Sequence, residues 1–561
     1  MGHAALLLLL SHLLGCVAEH CRCVSPDPCF VRAPWESLNK SVVIEDLEPY
    51  DIWDSGPSNM NRTDVLWLSW QPAAMHYIGH MGSRTVPGWA MVNATPAKVA
   101  RLRTTEEASA ALRFAAEHNL AVSVKGTGHD WFGRSTGAGT LLLWTHEMKN
   151  IAWHDNFTPV GCQQPIGEAV SLGAGVQFWE LYDEQNTRGR MGIGGDCSTV
   201  GHVGFTLGGG YGDYSRMFGS GATNAVEAEV VLANGSVVVA SACSAEHAEL
   251  FWALRGGGAG YGLISRITYR THPKPEHGRF GRVKKQGGLS GPHGIESFLA
   301  WYRERVIEGH AKHFGGHLNF DRHGSISVDF LYSGLSLERC SDMVSALNAT
   351  CEPGDDLWKR GDVRRSLHGV EGWFPAWENG LGYILSSNSR YFKLEHITGR
   401  NLTHFVRGLR RLVRHVRGMQ ISLNYVLGRG SDVALRHAKQ TSVHPDVYEA
   451  IGTLRLLQGH WHRDWQSAFL PTARTPVDEL HADAAASVRR ELDLLLPGAG
   501  AYFNEGDIAE PHWQERYWGA NYAGLLRTKQ LYDPRGMFSC HQCVGSESRL
   551  DCERRLGSVW V

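Results

Sequence analysis

The chain has 561 residues, 43% of them hydrophobic and 20% charged, and a formal net charge of −2. That length allows two or three domains with a sizeable core, and the composition excludes a disordered chain. No basic field or tail offers itself to nucleic acid.

Leu6 to Leu14 is a short apolar run, followed by the small-residue cleavage site Cys16-Val17-Ala18. This predicts a signal peptide over residues 1–18 and a secreted or lumenal protein. The run is too short to span a bilayer, and no later stretch is long and apolar enough, so no membrane partner is expected. Residues 19–85, rich in Pro, Trp and Cys, read as an irregular N-terminal arm.

Short elements follow. Ala97 to Leu102 reads as a strand, and Thr105 to His118 as an amphipathic helix with Ala108, Leu112 and Ala115 on one face. Leu120 to Val124, Thr140 to Trp144 and Ala169 to Gly173 read as strands, and Val176 to Gln185 as a helix. Val226 to Leu232 and Val237 to Ala240 flank the hairpin turn Ala233-Asn234-Gly235-Ser236. Glu246 to Leu254 is a predicted helix and Leu263 to Tyr269 a strand.

This is an α+β pattern without regular strand–helix alternation. His272-Pro273-Lys274-Pro275 marks a boundary. Beyond it lies a second α+β region, with helices over Glu296 to Val306 and Leu402 to Val416 and strands over Ile326 to Leu331 and Met419 to Leu427. From about Tyr502 the composition changes again, and Arg516 to Gln530 reads as a helix.

Of the twelve cysteines, Cys16 falls in the signal, which leaves an odd number. Setting Cys197 aside leaves ten, enough for five disulfides. Cys340 and Cys351 are a local pair by spacing; Cys21, Cys23 and Cys29 are expected to meet Cys540, Cys543 and Cys552. Cys540-His541-Gln542-Cys543 also has the spacing of half a zinc site, but nothing accompanies it and no metal is expected. Seven sequons, at Asn39, Asn61, Asn93, Asn156, Asn234, Asn348 and Asn401, suit the same compartment. Those at Asn93 and Asn156 are followed by Pro.

Two glycine-rich stretches organise the chain. Gly194 to Gly212 holds eight glycines and Cys197. Val124 to Ser135 contains Lys125-Gly126-Thr127-Gly128-His129-Asp130 directly after a predicted strand. Glycine is used where backbone must press against a ligand, and successive N–H groups of such a turn suit an anion such as a pyrophosphate. The plainer reading makes His129 a hydrogen-bonded loop histidine and Cys197 a buried thiol or disulfide partner. The two stretches together with the odd cysteine favour one large flat ligand. Gly256-Gly257-Gly258-Ala259-Gly260-Tyr261-Gly262 follows a helix rather than a strand. It therefore reads as a tight turn on the ligand's rim, not as a dinucleotide fingerprint.

From roughly Thr85 to Gly545 the chain resembles the berberine-bridge-enzyme-like flavoproteins, a group that includes glucooligosaccharide oxidases and lies in the vanillyl-alcohol-oxidase superfamily. Lys125 to Asp130 resembles the family's Arg-Ser/Gly-Gly-Gly-His-Ser, whose His bonds the flavin 8α-methyl. Cys197-Ser198-Thr199-Val200-Gly201 resembles Cys-Pro-Thr-Val-Gly, whose Cys bonds flavin C6. Leu250 to Gly258 is well matched too. Tyr502-Phe503-Asn504, Tyr517-Trp518-Gly519-Ala520-Asn521-Tyr522 and Asp533-Pro534 resemble the C-terminal signature.

The resemblance implies an α+β fold: a PCMH-type FAD-binding domain over 86–274, a substrate domain over 275–500 covered by an antiparallel sheet, and a segment over 501–561 that returns to the FAD domain. It implies FAD attached through His129 and Cys197. The implied cofactor set is Lys125, Gly126, Thr127, Gly128, His129, Asp130, Gly133, Ser135, Cys197, Val200, Gly201, Gly204, Gly208, Val231, Asn504, Tyr517 and Asn521.

The implied activity is oxidation of a carbinol, a carbohydrate or another alcohol, with O2 as acceptor. A dehydrogenase with a different acceptor and a non-catalytic flavin-bearing or glycan-binding protein are the alternatives. Tyr502 is the candidate base, which requires a partner to lower its pKa; the alternative is a packed aromatic bonded to the flavin. Val200 stands at the family's oxygen gate. Gln458 and His460 lie in the stretch that carries a base or its helper in some relatives; that stretch holds no carboxylate. Glu505 stands where the family has an aromatic or His, and Val203 and Phe205 replace a Gly and a polar or aromatic residue.

Overall fold

The computed structural model describes residues 21–46, 96–130, 134–185, 187–195, 200–275, 278–285, 294–309, 311–321, 326–334, 336–345, 382–414, 416, 418–422, 430–461, 476–507 and 509–549. The sequons at Asn61, Asn93 and Asn348, together with Cys197, Gly133 and the signal segment, lie outside them.

Three main sheets carry the fold. The first orders Val43–Asp46, Lys98–Arg101, Leu141–Trp144 and Val122–Lys125, the last three parallel. Leu141 to Trp144 is buried on both faces, as a strand inside a parallel sheet must be. The helix Thr105–Glu117 covers this sheet with Ala108, Ala111, Leu112 and Ala115. Its start is set by Thr104, whose hydroxyl accepts from the Glu107 amide at 3.2 Å, and by Glu106 and Glu107 in the first turn. The edge strand Val43–Asp46 comes from the stretch expected to be irregular; its half-exposed Val43 and Ile44 give little periodicity to read.

The second sheet is antiparallel, in the order Ile151–His154, Ala169–Gly173, Leu263–Arg270, Ala225–Val231 and Val237–Ser241. The third has six antiparallel strands: Gly278–Lys285, Ile326–Ser333, Phe314–Asp321, Gly418–Ser422, Ala450–Trp461 and Gly382–Lys393. Leu318, Ile421, Leu454 and Leu456 of that sheet share a core with Phe298, Phe405, Leu409 and Leu492 from the helices Ile295–Trp301, Gly399–Leu412 and Pro476–Leu495.

The C-terminal segment packs into the second sheet's core: Phe503, Tyr517, Trp518 and Leu525 cluster with Val170, Phe178 and Phe251. The helix expected over Arg516 to Gln530 is two helices, Trp513–Trp518 and Tyr522–Tyr532. Gly519 breaks it with φ +52°, where a Cβ would lie 2.8 Å from His444 Nε2. Trp518 is fully buried, and its indole N–H donates to Gly256 O at 3.0 Å. The Gly256–Gly262 turn packs on this segment: a Cβ at Gly258 would lie 2.9 Å from the Phe503 ring.

The expected cross-link between the termini is corrected for Cys23, Cys29, Cys540 and Cys543, while Cys552 lies outside the described residues. Cys23 bonds Cys29, Cys540 bonds Cys543 and Cys162 bonds Cys243. The Cys540–Cys543 bond also removes the half zinc site. Cys21 and Cys340 are disulfide-bonded as well, to partners outside the described residues.

Candidate active site

The strand Val122–Lys125 delivers the first glycine-rich stretch, and its end is held by the Thr145 amide donating to Lys125 O at 2.9 Å. Gly128 then takes φ +77°, open to glycine, which turns the chain into half-buried His129. The second stretch meets the first where the Gly201 amide donates to Thr127 Oγ1 at 3.0 Å. Val200, half-buried against the second sheet's core, is pinned by its carbonyl, which accepts from the Phe178 amide at 3.1 Å.

Beyond Gly201 the second stretch is not a loop. His202–Leu207 is a helix. Gly204 on that helix is exposed, with nothing within 4 Å of where a Cβ would stand. The other glycines mostly accommodate protein. A Cβ at Gly210 would collide with the Phe205 ring, one at Gly221 would lie 2.6 Å from it, and one at Gly208 would collide with Asn504.

The C-terminal segment closes the third side. Asn504 Nδ2 donates to Gly204 O at 3.2 Å and to Tyr502 Oη at 3.0 Å. Arg134, bonded through Nε to Asp130 at 2.7 Å, lies 3.9 Å from the Phe503 ring centroid. The third sheet holds this segment from the other side: Ser389 Oγ accepts from the Tyr502 amide at 3.0 Å.

Tyr502 is buried and packs edge-on to Tyr211, with ring centroids 5.0 Å apart. Its phenol does not meet the requirement for a lowered pKa. Burial and then Glu505 push it well above its ordinary value, against the Asn504 side chain and the backbone of Gly210 and Tyr211, which pull it down. Glu505 faces Tyr211: Tyr211 Oη lies 2.9 Å from Oε2 and 3.0 Å from Oε1, and Arg455 Nη1 donates to Oε1 at 2.8 Å.

Sequence reasoning placed neither Tyr211 nor Arg455 in the site. The available signal was Glu505 itself, since a half-buried carboxylate in an aromatic's place needs a basic partner. Arg455 stands in the strand Ala450–Trp461 that also holds Gln458 and His460, and it brings a cation to the site. The backbones of Gln458 and His460 lie in that strand, opposite Ser386 and Tyr383.

The remaining expected residues are placed as follows. Lys125 is buried, and burial holds its pKa down to about 7. Ser135 carries a buried hydroxyl with no hydrogen-bond partner. Gly126 packs on Ala174 O. Val231 is a core residue of the first sheet's cluster. Tyr517 and Asn521 brace the C-terminal segment through Asp507 O at 3.0 Å and Val443 O at 2.7 Å. Among the described residues no helix is long and apolar enough to cross a membrane.

These features fit a dinucleotide flavin. A buried cation and an unpartnered hydroxyl border the first stretch, an exposed helical glycine lies on the second, and three remote segments converge there. When bound, FAD would supply the two-electron acceptor. Fold and site thus define a flavin-dependent oxidoreductase.

The comparisons agree. Residues 96–241 match the FAD binding domain model, and residues 501–545 match the model for berberine and berberine-like proteins. FAD-linked oxidoreductase penH of Penicillium thymicola is 30% identical over 97% of this chain and 96% of its own length. The crystal structure of the VAO-type flavoprotein MtVAO713 of Myceliophthora thermophila C1 is 22% identical. It superposes with a TM-score of 0.74 over 94% of this chain and 97% of that one. A glucooligosaccharide oxidase of Acremonium strictum, described with a 6-S-cysteinyl, 8α-N1-histidyl FAD, is 19% identical with a TM-score of 0.63 over 82% and 95%. The chain belongs to the FAD-linked oxidoreductases of the vanillyl-alcohol-oxidase and berberine-bridge-like family.

Proposed function

We propose that this chain is a secreted oxidase that removes hydride from a carbinol, of a carbohydrate or another alcohol, and passes the electrons to O2 with release of H2O2. The observation that carries the reading is the convergence of the Thr127–Gly201 contact and the Asn504–Gly204 contact on one open helical glycine. Such a site takes a flat ring between backbone walls, with His129 and Cys197 on the two stretches that form them.

Attachment of FAD through both residues is part of the proposal. Its support is the matched motifs and the bicovalent flavin named for the Acremonium oxidase of the same fold. Two covalent anchors hold the ring without a deep clamp and leave the cleft open to a bulky substrate. Secretion is supported by the disulfides and by sequon residues Asn39, Asn156, Asn234 and Asn401, all exposed. The oxidase assignment is supported by Val200, small enough to leave oxygen a path.

A peroxide assay over sugars and other alcohols tests the reading. Peroxide release with a sugar or alcohol supports it; flavin reduction without peroxide makes the chain a dehydrogenase, and no flavin reduction by any alcohol defeats carbinol oxidation. Acid precipitation should leave the colour on the protein. Cys197→Ala should keep one flavin through His129, and the double variant with His129→Ala should keep none.

A further inference from the structure

Oxidising a carbinol requires its hydroxyl proton to go to the protein as the C–H electron pair leaves. Tyr502 is poorly suited to receive it: its oxygen accepts from Asn504 Nδ2 at 3.0 Å, and the neighbouring carboxylate of Glu505 disfavours its ionisation. Tyr211 differs. It follows Gly210, stands edge-on to Tyr502, and directs its hydroxyl onto both oxygens of Glu505 at 2.9 and 3.0 Å. Arg455 reaches the same carboxylate at 2.8 Å from the third sheet, and both side chains are nearly enclosed, at 13% and 9% exposure. Ser387 Oγ donates to Glu505 O at 3.4 Å and fixes the backbone.

Resting on the carbinol-oxidase reading, we propose that Glu505, oriented by Arg455, is the seat of the substrate proton, reached through Tyr211. As the substrate C–H bond breaks, its hydrogen leaves with both electrons as a hydride accepted by the flavin, and the carbinol becomes a carbonyl. The substrate O–H bond breaks in the same event. Tyr211 Oη takes that proton and hands its own to Glu505, so Tyr211 never needs to stand as a free phenolate. This explains how a phenol held well above its ordinary pKa by burial, and next by Glu505, serves the reaction. Glu505 and Arg455 are then positioning residues and Tyr211 the one that touches substrate. Among the described residues, Glu505, Arg455 and Tyr502 are charged or titratable groups that face Tyr211.

Glu505→Gln keeps the shape and removes the acceptor charge. Stopped-flow reduction of the flavin by the alcohol that gives the fastest wild-type reduction should slow about 100-fold or more, with little change in substrate affinity. Glu505→Asp should recover part of the lost rate. Unchanged reduction in a folded Glu505→Gln protein would overturn the proposal.

A second readout needs no substrate. Removing the carboxylate should let Tyr211 and Tyr502, both held up by Glu505, ionise at lower pH by ultraviolet difference titration, and adding Tyr211→Phe should remove the Tyr211 share of that signal. An unmoved titration overturns the pairing, and with it the relay. A wild-type flavin that no alcohol reduces counts instead against the functional reading, and the titration still decides the pairing.

Discussion

Thr127 and Gly201 are joined by one hydrogen bond: the glycine amide donates to the threonine hydroxyl at 3.0 Å, across 74 residues of sequence. Thr127 is buried, and a Cβ at Gly201 would lie 3.0 Å from its side chain, so the two backbones meet as closely as side-chain sterics allow. Thr127→Val keeps the volume and leaves the Gly201 amide unsatisfied. It should destabilise the protein by about 1–3 kcal/mol and lower the fraction of chains that retain flavin after denaturation. Urea unfolding and the ratio of flavin to protein absorbance measure the two effects.

Val200 tests the oxygen path. One added methylene can fill a gap of oxygen's size in close-packed protein, and an added barrier of about 1.4 kcal/mol is roughly tenfold in rate. Val200→Leu should slow reoxidation of the reduced flavin by air at least that much, while reduction by substrate changes little. Stopped-flow reoxidation reads this directly; an unchanged oxygen rate places the gate elsewhere.

His202 sets an acid limit. It is buried between Tyr269 Oη and Gly173 O, each at 2.9 Å, and burial first, then Lys149, hold its pKa down to about 4, with the Gly173 bond opposing. Its folded pKa lies below the unfolded value, so the unfolded chain binds the extra proton and stability falls as pH drops from 6.5 towards 4. His146 and His272, held to about 4 and about 3, act in the same direction. His202→Gln should flatten the slope of unfolding free energy against pH in that window by up to about 1.4 kcal/mol per pH unit. Parallel slopes in the variant and wild type would contradict the assignment.

Lys125 has the complementary behaviour. Burial takes its pKa from 10.5 to about 7, so the flavin-free chain should gain stability as pH rises between those values. Lys125→Met should remove that gain in the double variant lacking His129 and Cys197. It should also weaken retention of non-covalent FAD, because the buried cation beside the first stretch is gone. Denaturation at pH 7 and pH 9 and equilibrium dialysis with FAD provide the two measurements.

The sequence by itself determined the family, the two glycine-rich stretches and most strands up to residue 270, because each is written in a few consecutive residues. Val122–Lys125 running into Gly126 needs only local apolarity and glycine. The His202–Leu207 helix was hidden by that same glycine density. Only the tertiary structure decided what each glycine faces: Gly210 and Gly221 make room for the Phe205 ring, Gly208 for Asn504, and Gly204 alone among these four for open space. It alone brought Glu505 to Tyr211 across 294 residues and to Arg455 across 50, and paired Cys23 with Cys29 instead of with the far terminus. The Glu505 contacts join side chains from remote segments, and their partners are chosen by packing and by the cost of leaving a half-buried charge alone, neither of which is encoded in local spacing.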